Sequence, residues 1–219
     1  MSIQTLLSVN TIFFTLWEYP MSYLEFFGTL FTGWSVYLAA KNKASTWPIS
    51  IAGIILYGFL FYQIQLYSDL FEQVYYFITA FWGWYVWTHA TNKSKKEQPV
   101  SISSKHQNIW SLVTIAVFTV LLTQFMSNIH LFFPKLFPIA ASFPLIDSFT
   151  TVMSFVATVY LARRQIENWY LWIVVDIIGV WLYYQKGVVF LSVLYLAFLI
   201  NAFYGLVKWQ KLIKNESTE

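Results

Sequence analysis

Charge is the scarcest commodity in this sequence. Only 11% of its 219 residues are Asp, Glu, Lys or Arg, against about 25% in an ordinary soluble domain. With 58% hydrophobic residues and a mean hydropathy of +0.56, there is too little charge to clothe a soluble surface. Cysteine is absent, which excludes disulfides and thiolate chemistry but leaves the compartment open. The three histidines, His89, His106 and His130, lie in or beside expected loops, so a membrane-embedded metal or proton-relay histidine is excluded. No phosphate-binding glycine loop, no nucleophile beside a base and no ligand-spaced Cys/His set is present. These absences argue against an enzyme, against a bound cofactor or metal, and against ATP hydrolysis by this chain alone. No Lys or Arg precedes Lys41, so a cleavable signal peptide is not expected.

What the chain has instead is apolar runs and rings: 11 Trp, 15 Tyr and 21 Phe. Seven stretches, at roughly 22–40, 47–65, 70–88, 109–127, 145–162, 169–185 and 188–207, each approach the ~20 residues that a bilayer-crossing helix needs. The expected class is therefore an all-α polytopic membrane protein with seven transmembrane helices. Ahead of them, 1–21 is expected as an interfacial helix with Trp17 and Tyr19 at headgroup level. Most connections are short, including a tight turn at Lys186-Gly187. Thr91–Asn108 is charged and reads as a solvated linker, and Asn128–Pro144, with Pro134, Pro138 and Pro144, as an irregular loop.

Threading seven spans places 11 of the 13 cations on one side, leaving only Lys135 and Lys186 on the other. The positive-inside rule then puts the N-terminus outside and the C-terminus inside. An internal repeat overlies this topology. An offset of 122 residues aligns Trp47–Trp87 with Trp169–Trp209 without a gap, with 11 identities in 41 positions, among them Trp47/Trp169, Gly83/Gly205 and Trp87/Trp209. Three spans end on the face opposite their start, so a second parallel copy requires one extra crossing. The expected plan is 3+1+3: a three-helix repeat over 22–90, a linking segment over 91–144, a second repeat over 145–210 and a tail over 211–219. Transport folds built this way hold substrate at the repeat interface near the midplane.

The repeat separates scaffold from site. Matched residues such as Gly83/Gly205 and Trp87/Trp209 suit close helix approach and interfacial anchoring, and Trp47, Trp110 and Trp169 also read as belt residues. Residues polar in only one copy suit an asymmetric ligand. Asp69 pairs with Leu191, Gln73 with Tyr195, Asp176 with Ile54, and Asn201 with Thr79. Asp69, Gln73, Tyr76, Ala80, Trp84 and Trp87 share one helical stripe. Asp176 is the boldest residue, because a carboxylate at mid-span costs at least ~2.5 kcal/mol unless it faces the bundle interior or water. Trp172, Asp176, Gly179 and Tyr183 share its face: ring, acid, gap, ring. The plain alternative is an inter-helix hydrogen bond, and amides such as Gln73 and Asn201 commonly bridge membrane helices. Trp84, Trp172 and Trp181 lie deep enough to stack on a flat ring, and aromatic rings beside carboxylates hold delocalised cations. Glu25, Asp69 and Asp147 lie near outer span ends, as gating, approach or capping groups.

The run Tyr67-x-Asp69-x-x-x-Gln73, followed by Gly83-Trp84-Tyr85-Val86-Trp87, resembles the PnuC vitamin transporters. So do Asn168-Trp169 and Trp172, Lys186-Gly187, Tyr195, Gly205 and Trp209, over roughly 22–210. The resemblance implies facilitated diffusion of nicotinamide riboside, trapping of the product by a cytoplasmic kinase, and a homotrimer. Relatives on the same scaffold look like carriers of thiamine or riboflavin. On the residues, Trp172, Trp84 and Trp181 would sandwich the ring and Asp176 would offset its charge. Gln73 and Asn201 would bond the carboxamide and ribose, with Asp69 and Tyr76 on the outer approach. A membrane receptor that binds without transporting is the rival from another class.

Overall fold

The computed structural model describes residues 3–16, 19–64, 67–89, 99–135, 137, 140–185 and 189–216. After a four-residue helical turn, α1 (Ile3–Leu6), come two strands, β1 (Ile12–Leu16) and β2 (Tyr19–Ser22). Seven long helices follow: α2 (Tyr23–Ala40), α3 (Thr46–Gln63), α4 (Tyr67–His89), α5 (Lys105–Phe132), α6 (Pro144–Ala162), α7 (Glu167–Gln185) and α8 (Val189–Glu216). At 18 to 28 residues they are roughly 27 to 42 Å long, against a hydrocarbon core of about 30 Å. α3, α5, α6 and the Leu191–Asn215 part of α8 are apolar and long enough to cross a membrane on composition alone. α2, α4 and α7 match them in length and dilute their apolar content with Tyr, Trp and polar side chains.

The chain divides into two compact units, Met1–Gln98 and Pro99–Glu219. In the first, α3 packs between α2 and α4, and the strands lie against α2. In the second, α5 packs on α6, α6 on α7 and α7 on α8. Ile115, Val152, Met153 and Val175 form the buried core of that unit, with Trp172 and Tyr195 packed against it.

Helix ends follow local chemistry. Ser22 caps α2 by accepting from Glu25 N at 3.2 Å. α5 opens on a capping box in which Ser104 Oγ accepts from Gln107 N and Gln107 Oε1 from Ser104 N. That box starts the helix four residues ahead of the expected 109, and the helix runs on to Phe132, just before Pro134. α2 and α6 both end in a left-handed residue, Asn42 and Arg164, each with φ 54°. Asn42 N donates to Ala39 O and Lys43 N to Leu38 O; Arg164 N donates to Leu161 O and Gln165 N to Tyr160 O. Both ends are the same reversal, the doubly bonded C-terminal cap that usually takes glycine, at positions 122 apart.

Three expectations need correction. The N-terminal segment is not one interfacial helix. Ile12, Phe13, Phe14 and Thr15 are β-branched and aromatic, and Ile12 and Phe14–Leu16 pair antiparallel with Tyr19–Ser22, with an irregularity at Phe13. Four of the tryptophans expected as interfacial anchors are core: Trp47, Trp87, Trp169 and Trp209 are 3%, 4%, 1% and 0% exposed, whereas Trp110 stays exposed. Trp47 meets Trp87 edge-on at 5.5 Å and 87°, and Trp169 meets Trp209 at 5.5 Å and 90°. The glycines make room for these rings. A Cβ on Gly205 would lie 2.6 Å from Trp169 Cζ2, and one on Gly83 would overlap the Trp47 ring. Finally, 99–104 is no solvated linker. Ser101 N donates to Arg164 O and Ile166 N to Ser101 O, Ser103 N donates to Glu167 Oε1, and Val100 is buried. Trp17, Pro138, the Lys186-Gly187 turn and Lys93, Lys95 and Lys96 lie outside the described residues.

Candidate ligand site

Asp176 lies at the middle of α7 and is 3% exposed. Its carboxylate makes no hydrogen bond or ion pair with any described residue. Among the described residues, the inter-helix hydrogen bond that would explain it structurally is not formed. A buried carboxylate without a donor is costly, and such a group inside a membrane helix is retained where it serves a ligand, an ion path or a proton. Trp172, one turn earlier on the same face, is half-buried against the α5–α6–α7 core.

The rest of that face differs from the expected ring, acid, gap, ring. The space at Gly179 is filled from within, because a Cβ there would fall onto the ring of Tyr195 from α8. Tyr195 in turn stacks on Tyr183 at 5.1 Å and 28°. Tyr183 and Tyr195 thus close the α7–α8 crossing, which Ser192 Oγ ties further by donating to Val180 O at 2.8 Å. Trp181 turns away from Asp176, 46% exposed, with its edge on Phe143 at 6.1 Å. Asn201 on α8 is half-buried.

In the other unit, α4 carries Asp69, Gln73 and Tyr76, all half-buried. Gln73 makes no hydrogen bond to a described residue. Ala80, Gly83 and Trp87 are the buried part of the stripe, whereas Trp84 lies at its edge, 39% exposed, with Phe81 at 6.4 Å. Gly83 and Trp87 are packing residues, as their twins Gly205 and Trp209 are.

The acids at span ends have local partners. Glu25 accepts from Tyr19 OH at 2.6 Å and lies in the first turn of α2. Asp147 occupies the first turn of α6, behind Pro144. Both positions favour a negative charge at the positive end of a helix. Burial, reinforced by the bond to Glu25, pushes the Tyr19 hydroxyl above its ordinary value of 10.0. Two aromatic contacts escaped the sequence reading. Tyr195 was paired with Gln73 by the repeat but not seen to fill Gly179, and Tyr57 hydrogen-bonds Thr29 at 2.7 Å. Nothing in spacing alone marks either, since both depend on which helix lies opposite.

Seven membrane-length helices and a buried mid-helix acid flanked by a tryptophan define a polytopic membrane protein of the transporter class. The model of the nicotinamide mononucleotide transporter family matches residues 22–211, and the chain belongs to that family. It is 29% identical over 208 residues to the nicotinamide riboside transporter PnuC of Escherichia coli (strain K12), covering 87% of this chain and 86% of that one. It is 27% identical over 191 residues to the PnuC of Neisseria mucosa, covering 83% and 70%. A riboflavin/roseoflavin transporter, RibM of Streptomyces davaonensis, is 25% identical over 203 residues, covering 92% and 91%. A crystal structure of the vitamin B3 transporter PnuC superimposes with a TM-score of 0.66 over 88% of this chain and 83% of that one, and at 24% identity it speaks for the fold alone.

Proposed function

We propose that this protein carries nicotinamide riboside across a bacterial inner membrane by facilitated diffusion. The family match over 22–211 carries the reading, together with relatives described as nicotinamide riboside transporters. The chain's own chemistry favours the riboside over the mononucleotide of the family's description. A phosphate needs cations, yet no Lys or Arg lies between Lys43 and Lys93, or between Arg164 and Lys186. Asp176 would repel a phosphate and attract the cationic pyridinium. Riboflavin, which a more distant relative carries, is neutral and gives a buried carboxylate no such role.

In this reading Trp172 stacks on the ring, Asp176 offsets its charge, and Gln73 and Asn201 bond the carboxamide and ribose. Tyr76 and Asp69 line the outer approach, and Trp84 and Trp181, both partly exposed, play lesser parts. The cations on one side put the N-terminus outside and the C-terminus inside. The matched turns at Asn42 and Arg164 and the matched Trp47/Gly83 and Trp169/Gly205 contacts support a 3+1+3 plan. Without an ATP-binding loop, net uptake would rest on a cytoplasmic kinase that phosphorylates the riboside, and assembly would follow the homotrimer that the family resemblance implies. Calorimetry of the purified protein against nicotinamide riboside, nicotinamide mononucleotide, thiamine and riboflavin tests the substrate. Binding of the riboside that is lost in Asp176→Asn and Gln73→Ala is expected; riboside binding unchanged by both places the site elsewhere.

A further inference from the structure

Between the first turns of α5 and the last turns of α6 lies a groove of about 210 Å³. One end is polar, lined by His106, Gln107 and Arg163; the other is lined by Thr114 and Val156, with Trp110 as a wall between. From 106 to 114 the α5 side runs about 12 Å along the axis, the depth from headgroup to upper acyl chain. Its outer neighbours Ile109, Leu112 and Val113 are 60%, 64% and 44% exposed, so the groove opens on the face that hydrocarbon would cover.

The walls are set by hydrogen bonds. Tyr160 OH lies 2.9 Å from Asn108 Oδ1 and 2.7 Å from Ser111 Oγ, fixing the floor. Trp110 Nε1 donates to His106 Nε2 at 3.0 Å. With Nε2 accepting, the ring proton lies on Nδ1, which makes that nitrogen a donor. The Arg163 guanidinium supplies a charged fork of donors suited to a phosphate, and Lys105 precedes His106. The end carries positive charge and donors, on the cation-rich side of the membrane, above an apolar channel.

We propose that this groove binds an anionic phospholipid, its phosphate held by Arg163 and His106 Nδ1–H and its acyl chain lying along Trp110, Thr114 and Val156. Basic pockets between membrane helices on the cytoplasmic side recognise acidic headgroups in this way. None of these residues belongs to the ligand set on α4, α7 and α8, so the site does not depend on which vitamin is carried.

Native mass spectrometry of the full chain, delipidated and then exposed to equal amounts of phosphatidylglycerol and phosphatidylcholine, tests it. Phosphatidylglycerol is expected to be retained over phosphatidylcholine. Arg163→Gln is expected to reduce that retention about fivefold, the effect of one cation at an anionic surface. Trp110→Ala, at a 58% exposed position, is expected to reduce it too and provides a test that does not rely on Arg163→Gln folding. Lys211→Gln, an exposed cation on α8, is expected to leave it unchanged. Equal retention of the two lipids, or loss in Lys211→Gln matching that in Arg163→Gln, overturns the proposal, and so does retention indifferent to Trp110→Ala. Glycerol phosphate that displaces the lipid at equal concentration assigns the groove to a soluble anion instead and equally overturns it.

Discussion

Replacing Gly205 by Ala adds one methyl group at a place where the structure leaves no room. The new Cβ would lie 2.6 Å from Trp169 Cζ2 and 2.7 Å from Cε2 and Cη2, whereas unstrained carbons rest about 3.5–4.0 Å apart. Helix or ring must give by roughly 1 Å. Trp169, 1% exposed and edge-on to fully buried Trp209, has nowhere to go. Overpacking of this kind costs about 1–3 kcal/mol, while any Gly-to-Ala change inside a helix returns up to about 1 kcal/mol. Gly33→Ala isolates the clash, because a Cβ on Gly33 meets nothing within 4 Å. In detergent, Gly205→Ala is expected to melt below Gly33→Ala by roughly 2–12 °C, taking 1–3 kcal/mol at 2–4 °C each. Adding Trp169→Phe to Gly205→Ala, which removes the offending carbons, should recover part of the loss relative to Trp169→Phe alone. Equal melting of Gly205→Ala and Gly33→Ala would refute the packing argument, and with it the assignment of the matched glycines to scaffold.

Asp176→Asn is expected to leave thermal stability unchanged or raised, since the carboxylate has no described partner to lose, while weakening nicotinamide riboside about 10- to 150-fold by calorimetry, from about 1.5–3 kcal/mol for a bond to a charged group. Tyr19→Phe removes the donor to Glu25 and should speed amide hydrogen exchange in Ile12–Leu16 and Tyr19–Ser22 without altering α7; unchanged strand exchange would show that the bond does not hold the strands. The same docking should persist at neutral pH. A hydroxyl whose value is raised on folding contributes its stability below 10 and loses it as pH climbs through the raised value, so the protection of the strand amides, taken relative to the base-catalysed intrinsic exchange rate at each pH, should fall only above pH 10. Tyr160→Phe leaves Ser111 and Asn108 short of a shared donor and should cost about 0.5–1.5 kcal/mol, read as a lower melting temperature.

The spans were legible because bilayer crossing demands unbroken apolar length, a signal that survives without knowing any contact. The 122-residue offset is visible for a related reason: one register held over three spans leaves identities such as Gly83/Gly205 and Trp87/Trp209, and these support the proposed 3+1+3 plan. What those identities do was misread in part. Tryptophan near a span end suits both headgroups and a buried crossing, and only the opposing glycine, seen in three dimensions, decides between them. The N-terminal strands were hidden because Ile12–Leu16 is short, apolar and without strict alternation, so length and hydropathy alone favoured an interfacial helix. Gly179 looked like a gap for a ligand until Tyr195, sixteen residues on, was seen to fill it. Asp176 is the reverse case. Its cost in hydrocarbon is readable from its type and place, and its lack of a partner among the described residues strengthens the argument made from sequence.

Uptake into proteoliposomes tests the central claim most directly. The purified protein, reconstituted without ion gradients or ATP, should equilibrate labelled nicotinamide riboside to the external concentration and no further, should discriminate against nicotinamide mononucleotide and riboflavin, and should lose this activity in Asp176→Asn. Accumulation above the external concentration would contradict facilitated diffusion, and entry of the mononucleotide or riboflavin in place of the riboside would contradict the assigned substrate.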